Sequence, residues 1–409
     1  MSNTPDSKPK KILIFSLMYF PRFVGGAEVA IKEITDRIDP KDAAFEIITL
    51  KMDNSLPKTE MIGNVLVHRI GFGKSNPTIS DLDRWPLKIN KWLFPISAFL
   101  KARLLCKKTT FDASWAMMSY MGLPAIFLKQ SKKIPYILTL QEGDPLDKVE
   151  KKMLFLWPIY KKVFSSAAKT TAISEFLRSW ARRMGAKKPV IIPNGVDVEK
   201  FLATGNEKTT TPIRKNIGVK DSEILVFTSS RLVPKNGISD AIKAFQYLPA
   251  RFKFAIAGDG HLEKELKGLA RSLGLSQRII FLGFKKPEEI PDYLRESDIF
   301  LRPSLSEGLG NSFLEAMAAG VPVVGTNAGG ISDFLADGVT GLVCLKGNPK
   351  DIAEKISKLA ENENLKEQIS GNAFQMVKDR FNWNIIAESF KEIIFSMSSV
   401  SKNLPTLYD

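Results

Sequence analysis

Two cysteines, Cys106 and Cys344, stand far apart in 409 residues. That is too few for a disulfide framework and fits a reducing, cytoplasmic setting. Histidine is as scarce: His68 lies in the apolar run VLVHRI and His261 follows AGDG, so a histidine-based metal centre has no ligand set. No apolar run approaches the roughly 18 to 20 residues of a membrane-spanning helix; the longest, ILIFSLMYF and MLFLWPIY, are about half that. Lysines ahead of Ile12 give the first run a faint likeness to a signal peptide, but no small-x-small cleavage pattern follows. Neither a P-loop nor G-x-G-x-x-G is present, which removes support for ATP or NAD. The DLD at 81–83 imitates a metal-binding Asp-x-Asp outside any strand-to-loop context and is read as coincidence. No metal and no cofactor are expected.

Acids are also missing where bases are dense. From Arg84 to Lys108 there are seven basic residues and no acid, and from Lys148 to Lys188 eleven basic and two acidic. These two stretches carry the whole net charge of +15. Both interleave large apolar residues, Trp85, Trp92, Leu93, Phe94 and Phe99 in the first, Leu154, Phe155, Leu156, Trp157, Ile159 and Tyr160 in the second. This is the composition of a surface that rests on an anionic bilayer, so peripheral contact at the inner face of the cytoplasmic membrane is expected. Solvated helix faces over an ordinary core are the plainer reading. No nucleic-acid-binding motif accompanies the charge, and nucleic acid is not expected as a partner.

What is abundant is alternation. Short runs rich in Ile, Val and Phe (ILVFTSS, FKFAIAG, RIIFLGF, DIFLRPS, VPVVGT) are separated by helical patterns such as HLEKELKGLARSLG, the pattern of a doubly wound parallel sheet. The first half repeats it less tidily with KILIFSLM, FEIITL, VLVHRI, FDASWAM, IPYILTL, KTTAIS and PVIIP. The polar stretch VEKFLATGNEKTTTPIRKNIG reads as the linker. We expect an α/β protein with domains at 1–205 and 206–382, and a helical tail, 383–409, packing back across the junction.

The richest stretch is SEGLGNSFLEAMAAGVPVVGTNAGG at 306–330, with seven residues between Glu307 and Glu315. Loop glycines let backbone N–H groups approach a ligand, and a helix start favours an anion; a phosphate is the natural guest. Ser312-x-x-Glu315 matches a capping box, with Ser312 starting the helix and Gly320 closing it. Glu307 has no comparable structural role and is expected to face solvent or a ligand.

With Pro-Ser-x-x-Glu-Gly ahead of it and Glu-Ala-Met-Ala-x-Gly-x-Pro-Val-Val after it, this stretch resembles the signature of family 4 of the retaining glycosyltransferases. GGAE at 25–28, AISEFL at 172–177, IPNGVD at 192–197, SRLVPKNG at 230–237, AGDGHLEKEL at 257–266, FLGF at 281–284 and DGVTGLV at 337–343 agree in order. The resemblance implies a GT-B fold, two Rossmann-like doubly wound parallel-sheet domains facing across a cleft. It implies a metal-independent, retaining hexosyltransferase that takes a UDP- or GDP-linked sugar to a glycan or lipid-linked acceptor. Carried over, Arg231, Lys235 and Glu307 are catalytic, with Arg231 stabilising the departing diphosphate and Glu307 contacting the sugar. Glu315 would hold the ribose, and Gly25, Gly26, Phe284, Gly308, Leu309, Gly310 and Asn311 would complete the donor site.

Two positions depart from the family pattern. The usual Lys before the glycine at 237 is Asn236 here, with Lys235 one residue earlier and able to reach the same phosphate by a small loop shift. A usual His after YILTL is replaced by Gln141, followed by Glu142 and Asp144, the candidates for acceptor binding. A sugar-nucleotide epimerase on the same fold, or a catalytically silent binding module, are the alternatives.

Overall fold

In the computed structural model the described residues are 8–22, 24–202 and 213–397. The apolar runs form strands because a sheet covered on both faces can bury consecutive side chains. In β1 (Lys10–Phe15) the four residues Ile12 to Phe15 are all buried. The same first sheet holds β2 (Ala43–Leu50), β3 (Thr59–Ile62), β4 (Val65–Ile70), β5 (Ala113–Met117), β6 (Tyr136–Leu140), β7 (Lys169–Ala172) and β8 (Val190–Ile191). Their order is β3-β4-β2-β1-β5-β6-β7-β8, parallel throughout except where β3 runs antiparallel to β4. β3 had no apolar run to reveal it: TEMI alternates exposed and half-buried positions at the sheet edge.

The second sheet is wholly parallel, with β9 (Ile224–Ser229), β10 (Phe252–Ala257), β11 (Ile279–Gly283), β12 (Ile299–Arg302), β13 (Val323–Thr326) and β14 (Leu342–Cys344) in the order β11-β10-β9-β12-β13-β14. β14 is only three residues long, too short for a sequence pattern to mark. In each sheet the strand order reverses beside the first strand, between β1 and β5 and between β9 and β12. Open α/β sheets bind ligands outside the carboxyl ends of the strands at such a reversal.

Contacts divide the chain into two units, one of residues 1–142, 146–194 and 383–409, the other of 143–145 and 195–382. The boundary expected from sequence at 205 falls in 203–212, outside the described residues, as do 398–409 of the tail. The helix Trp383–Ser396 belongs to the first unit, where Phe390 packs 4.2 Å, centroid to centroid, from Trp115 of β5. Ile386, Ile393 and Ile394 join the core built on Ile12 and Ile14, and Lys391 Nζ lies 2.8 Å from Asp42.

Candidate functional site

The loop Pro303 to Gly310 leaves β12 and feeds the helix Asn311–Ala318. The helix begins one residue before Ser312: its N-cap is Gly310, at φ 105° and ψ 59°, a left-handed conformation that glycine adopts without strain. The expected capping box therefore does not form. Ser312 is already inside the helix and its hydroxyl accepts a 2.6 Å bond from Arg302 Nη1. Glu315, at the fifth helical position, lies two positions past the one from which an acid reaches back to the cap. At the other end Gly320 stands one residue past the C-cap Ala319, and Val321 N–H to Ala316 O at 2.9 Å with Gly320 N–H to Met317 O at 3.1 Å closes the helix.

Of the two surroundings the sequence allowed Glu307, solvent or a ligand, the structure excludes open solvent. It is 7% exposed, and its carboxylate pairs with Arg302 and accepts a long 3.4 Å bond from Ser304 Oγ. Its backbone is pinned as well: Gly330 N–H donates to Glu307 O at 3.1 Å, and a Cβ on Gly329 would lie 2.0 Å from that oxygen. The Gly-Gly at 329–330 is thus needed where two backbones nearly touch.

Arg302 is the site residue that sequence reading missed. Besides Glu307 and Ser312 it donates from Nη2 to Asn236 Oδ1 at 3.1 Å, and Asn236 Nδ2 donates to Arg231 O at 2.7 Å. One network thus runs from Arg231, two residues past β9, through Asn236 and Arg302, to Glu307 after β12, across the reversal point of the second sheet. A signal was present: an arginine ending the run DIFLR is a charge at the edge of a buried strand, which needs a partner.

The other candidates of this unit follow the strands β9, β11 and β12. Arg231 is exposed, and among the described residues its guanidinium has no ion-pair partner. Lys235 is mostly buried; its ammonium donates to Gly143 O at 2.7 Å and lies 3.3 Å from Asp144. Gly308, Leu309 and Gly310 are buried, and Asn311 is half-buried. Glu315 is half-buried and its carboxyl makes no hydrogen bond among the described residues; burial pushes that carboxyl above the usual range, against the opposing pull of Lys200 and Arg302. Phe284, just past β11, is 66% exposed.

In the first unit, Gly25 and Gly26 lie after β1 as expected, but the N–H of Gly25 is not bare: it donates to Glu28 Oε2 at 2.8 Å, the capping box of the helix Gly26–Asp36. Gln141 is closed on Asn194, each amide donating to the other at 2.9 and 3.0 Å. Glu142 is 4% exposed, with one oxygen accepting from Ser119 N–H at 2.6 Å and the other from Gln141 N–H at 3.0 Å. Burial pushes its carboxyl up, and those N–H groups oppose the shift. Its role here is structural, tying β6 to the turn after β5. Asp144, grouped with the second unit, is more than half exposed at its side chain and faces Lys235. The DLD pair is structural too: Asp81 takes Lys74 and Thr78, which hold its carboxyl down at about 2.

A family model described as Glycosyl transferases group 1 matches residues 209–376, and one described as Glycosyltransferase Family 4 matches residues 24–200. An uncharacterized glycosyltransferase of Methanocaldococcus jannaschii is 26% identical over 389 residues, covering 95% of this chain and 99% of its own. A GDP-mannose-dependent monoacylated alpha-(1-6)-phosphatidylinositol monomannoside mannosyltransferase of Corynebacterium glutamicum is 32% identical over 216 residues, 50% of this chain and 55% of its own. Among solved structures, Anabaena HepE in complex with UDP and glucose superposes with a TM-score of 0.74 at 22% identity, covering 95% of this chain and all of HepE.

Proposed function

The chain belongs to glycosyltransferase family 4, with the GT-B fold, and from that premise we propose that it transfers a hexose-type sugar from UDP or GDP to a glycan or lipid-linked acceptor, with retention at the anomeric carbon and without a metal. The second unit binds the donor and the first the acceptor. The observation that carries this reading is the network joining the loops after β9 and β12, which holds an exposed cation and an acid at the place where such sheets bind ligands.

In this reading Arg231 takes the diphosphate, because a guanidinium offers paired donors to phosphate oxygens and this one has no ion-pair partner among the described residues to give up. Glu307 takes sugar hydroxyls and Glu315 the ribose; a desolvated carboxyl without a hydrogen bond is a strong acceptor for a diol once ionised. The acceptor oxygen bonds to the anomeric carbon on the face from which the diphosphate leaves with the bonding pair, and the acceptor proton passes to the leaving phosphate. The protein supplies charge stabilisation and positioning. Lys235 reaches the phosphate only by leaving Asp144 and Gly143, so Arg231 is the principal cation. Solved relatives support a nucleotide sugar: HepE was crystallised with UDP and with UDP-glucose.

The test is thermal unfolding with UDP, GDP, UDP-glucose and GDP-mannose. A ligand at 100 times its Kd stabilises the native state by about 2.7 kcal/mol, and a chain that none of the four stabilises would end the reading. Release of free nucleoside diphosphate only when acceptor is added separates transfer from epimerisation, and the anomeric configuration of the product decides retention.

The acceptor side is read from the first unit's surface. The helix Leu87–Leu105 leaves Trp92, Leu93, Ile96, Leu100 and Leu104 more than half exposed, and Phe155, further along the chain, is 97% exposed. An exposed apolar stripe among seven bases and no acid fits an anionic bilayer on both counts. Among the described residues no helix is long and apolar enough to cross a membrane, so contact would be peripheral. Flotation with liposomes containing an anionic lipid at low salt tests this; failure to co-float removes the membrane from the proposal.

A further inference from the structure

An arginine clasping the sugar-side acid is an expensive arrangement, since removing two charges from water is offset only when the pair is well bonded. Arg302 is mostly buried, its Nε has no hydrogen-bond partner among the described residues, and its terminal nitrogens go to Glu307, Ser312 and Asn236. These three partners belong to the donor loop, the helix that carries Glu315, and the loop of Arg231. No other side chain in this unit is hydrogen-bonded to all three among the described residues. The fork geometry of a guanidinium fixes carboxylate direction in a way an ammonium does not. Asn236 stands where the family resemblance has a lysine, and here its amide relays Arg302 to Arg231 O.

We propose that Arg302 is a positioning residue for donor recognition: it aims the Glu307 carboxylate at the sugar and, through Asn236, fixes that carboxylate relative to the loop of Arg231. The inference rests on the reading of this site as the donor site. It also predicts a division of labour. A nucleoside diphosphate is held by Arg231 and Glu315 with little help from Arg302, whereas the attached sugar depends on Glu307 and hence on Arg302.

The experiment measures calorimetric affinity for UDP, GDP, UDP-glucose and GDP-mannose, and kcat and KM for transfer, in wild type, Arg302→Met, Arg302→Lys, Glu307→Gln and the double variant Arg302→Met/Glu307→Gln. Arg302→Met is expected to weaken the sugar nucleotide by about tenfold or more while leaving the nucleoside diphosphate within about twofold. Arg302→Lys should fall between wild type and Arg302→Met, because charge is kept and the fork is lost. In the Glu307→Gln background the further loss should shrink to about threefold or less, the mark of two residues acting as a unit. Equal losses for the two ligand classes, or losses that multiply in the double variant, would overturn the inference and leave the donor-site reading intact. A wild type that binds none of the four ligands overturns both. Should Arg302→Met not fold, Arg302→Lys and Glu307→Gln carry the same comparison.

Discussion

Two helices start just past a strand at their sheet's reversal point, and the first acid in each is used in opposite ways. In the first unit Glu28, at the third helical position, reaches back to the N–H of Gly25 and closes a capping box. In the second unit the N-cap is Gly310, the first acid is Glu315 two positions deeper, and its carboxyl is left without a hydrogen bond among the described residues. The same topology thus gives one acid a capping role and leaves the other without one. Burial raising the Glu315 carboxyl marks the difference: folding has partly desolvated it without providing a hydrogen bond among the described residues.

The surroundings repeat the contrast. Around Glu28 and Glu142 the polar groups are satisfied by backbone and by one another. Around Glu307 and Glu315 stand Arg302 and Lys200. A sheet reversal supplies a place for a ligand; the charges on its loops decide which ligand.

The comparison is most sharply broken at Arg231. Its replacement by Ala is expected to lower kcat/KM for transfer by about a hundredfold, the usual consequence of losing a donor to developing negative charge, and an effect below fivefold would move the diphosphate elsewhere. Glu315→Gln should weaken nucleoside diphosphate binding by about tenfold, as a charged hydrogen bond is lost. Its melting temperature should hold or rise, since the folded protein no longer buries an unpaired acid. Glu28→Ala should show the reverse profile, costing about 1 kcal/mol of stability by denaturant unfolding with binding nearly unchanged. If the two acids gave the same profile, the distinction between them would fail.

The smallest effect concerns Glu142. Its folded carboxyl titrates above the ordinary 4.5 of a glutamate, so between those two values the folded state holds the proton more tightly than the unfolded chain. Its contribution to stability is present at low pH and declines as pH rises through that window. Glu142→Gln should flatten the fall of melting temperature across the same range. An unchanged slope would show that the acid does not titrate with folding.

Much of the fold was legible because its determinants are local. Runs such as KILIFSLM and FKFAIAG are apolar at consecutive positions, which only a strand covered on both faces accommodates. The edge strand TEMI and the three-residue β14 escaped notice because neither has a run or a clear period. In the site, Arg231, Glu307 and Glu315 were singled out by the resemblance of their motifs to family 4, while what surrounds them was not legible in the sequence. The Ser312 capping box failed because the sequence pattern does not say which residue caps: the turn at Gly310 moved the cap two residues earlier and freed Ser312 for Arg302.

The chain by itself determined the two α/β sheets, the glycine-rich turns and the spacing of acids along them, since hydrophobic periodicity and backbone freedom act over a few residues. Only the tertiary structure decided that Arg302 meets Glu307 and Asn236, that Gly329 presses against the Glu307 carbonyl, and that the Glu315 carboxyl has no hydrogen bond among the described residues. Asn236 and Arg302 are 66 residues apart, and nothing local records which loops a parallel sheet will set side by side.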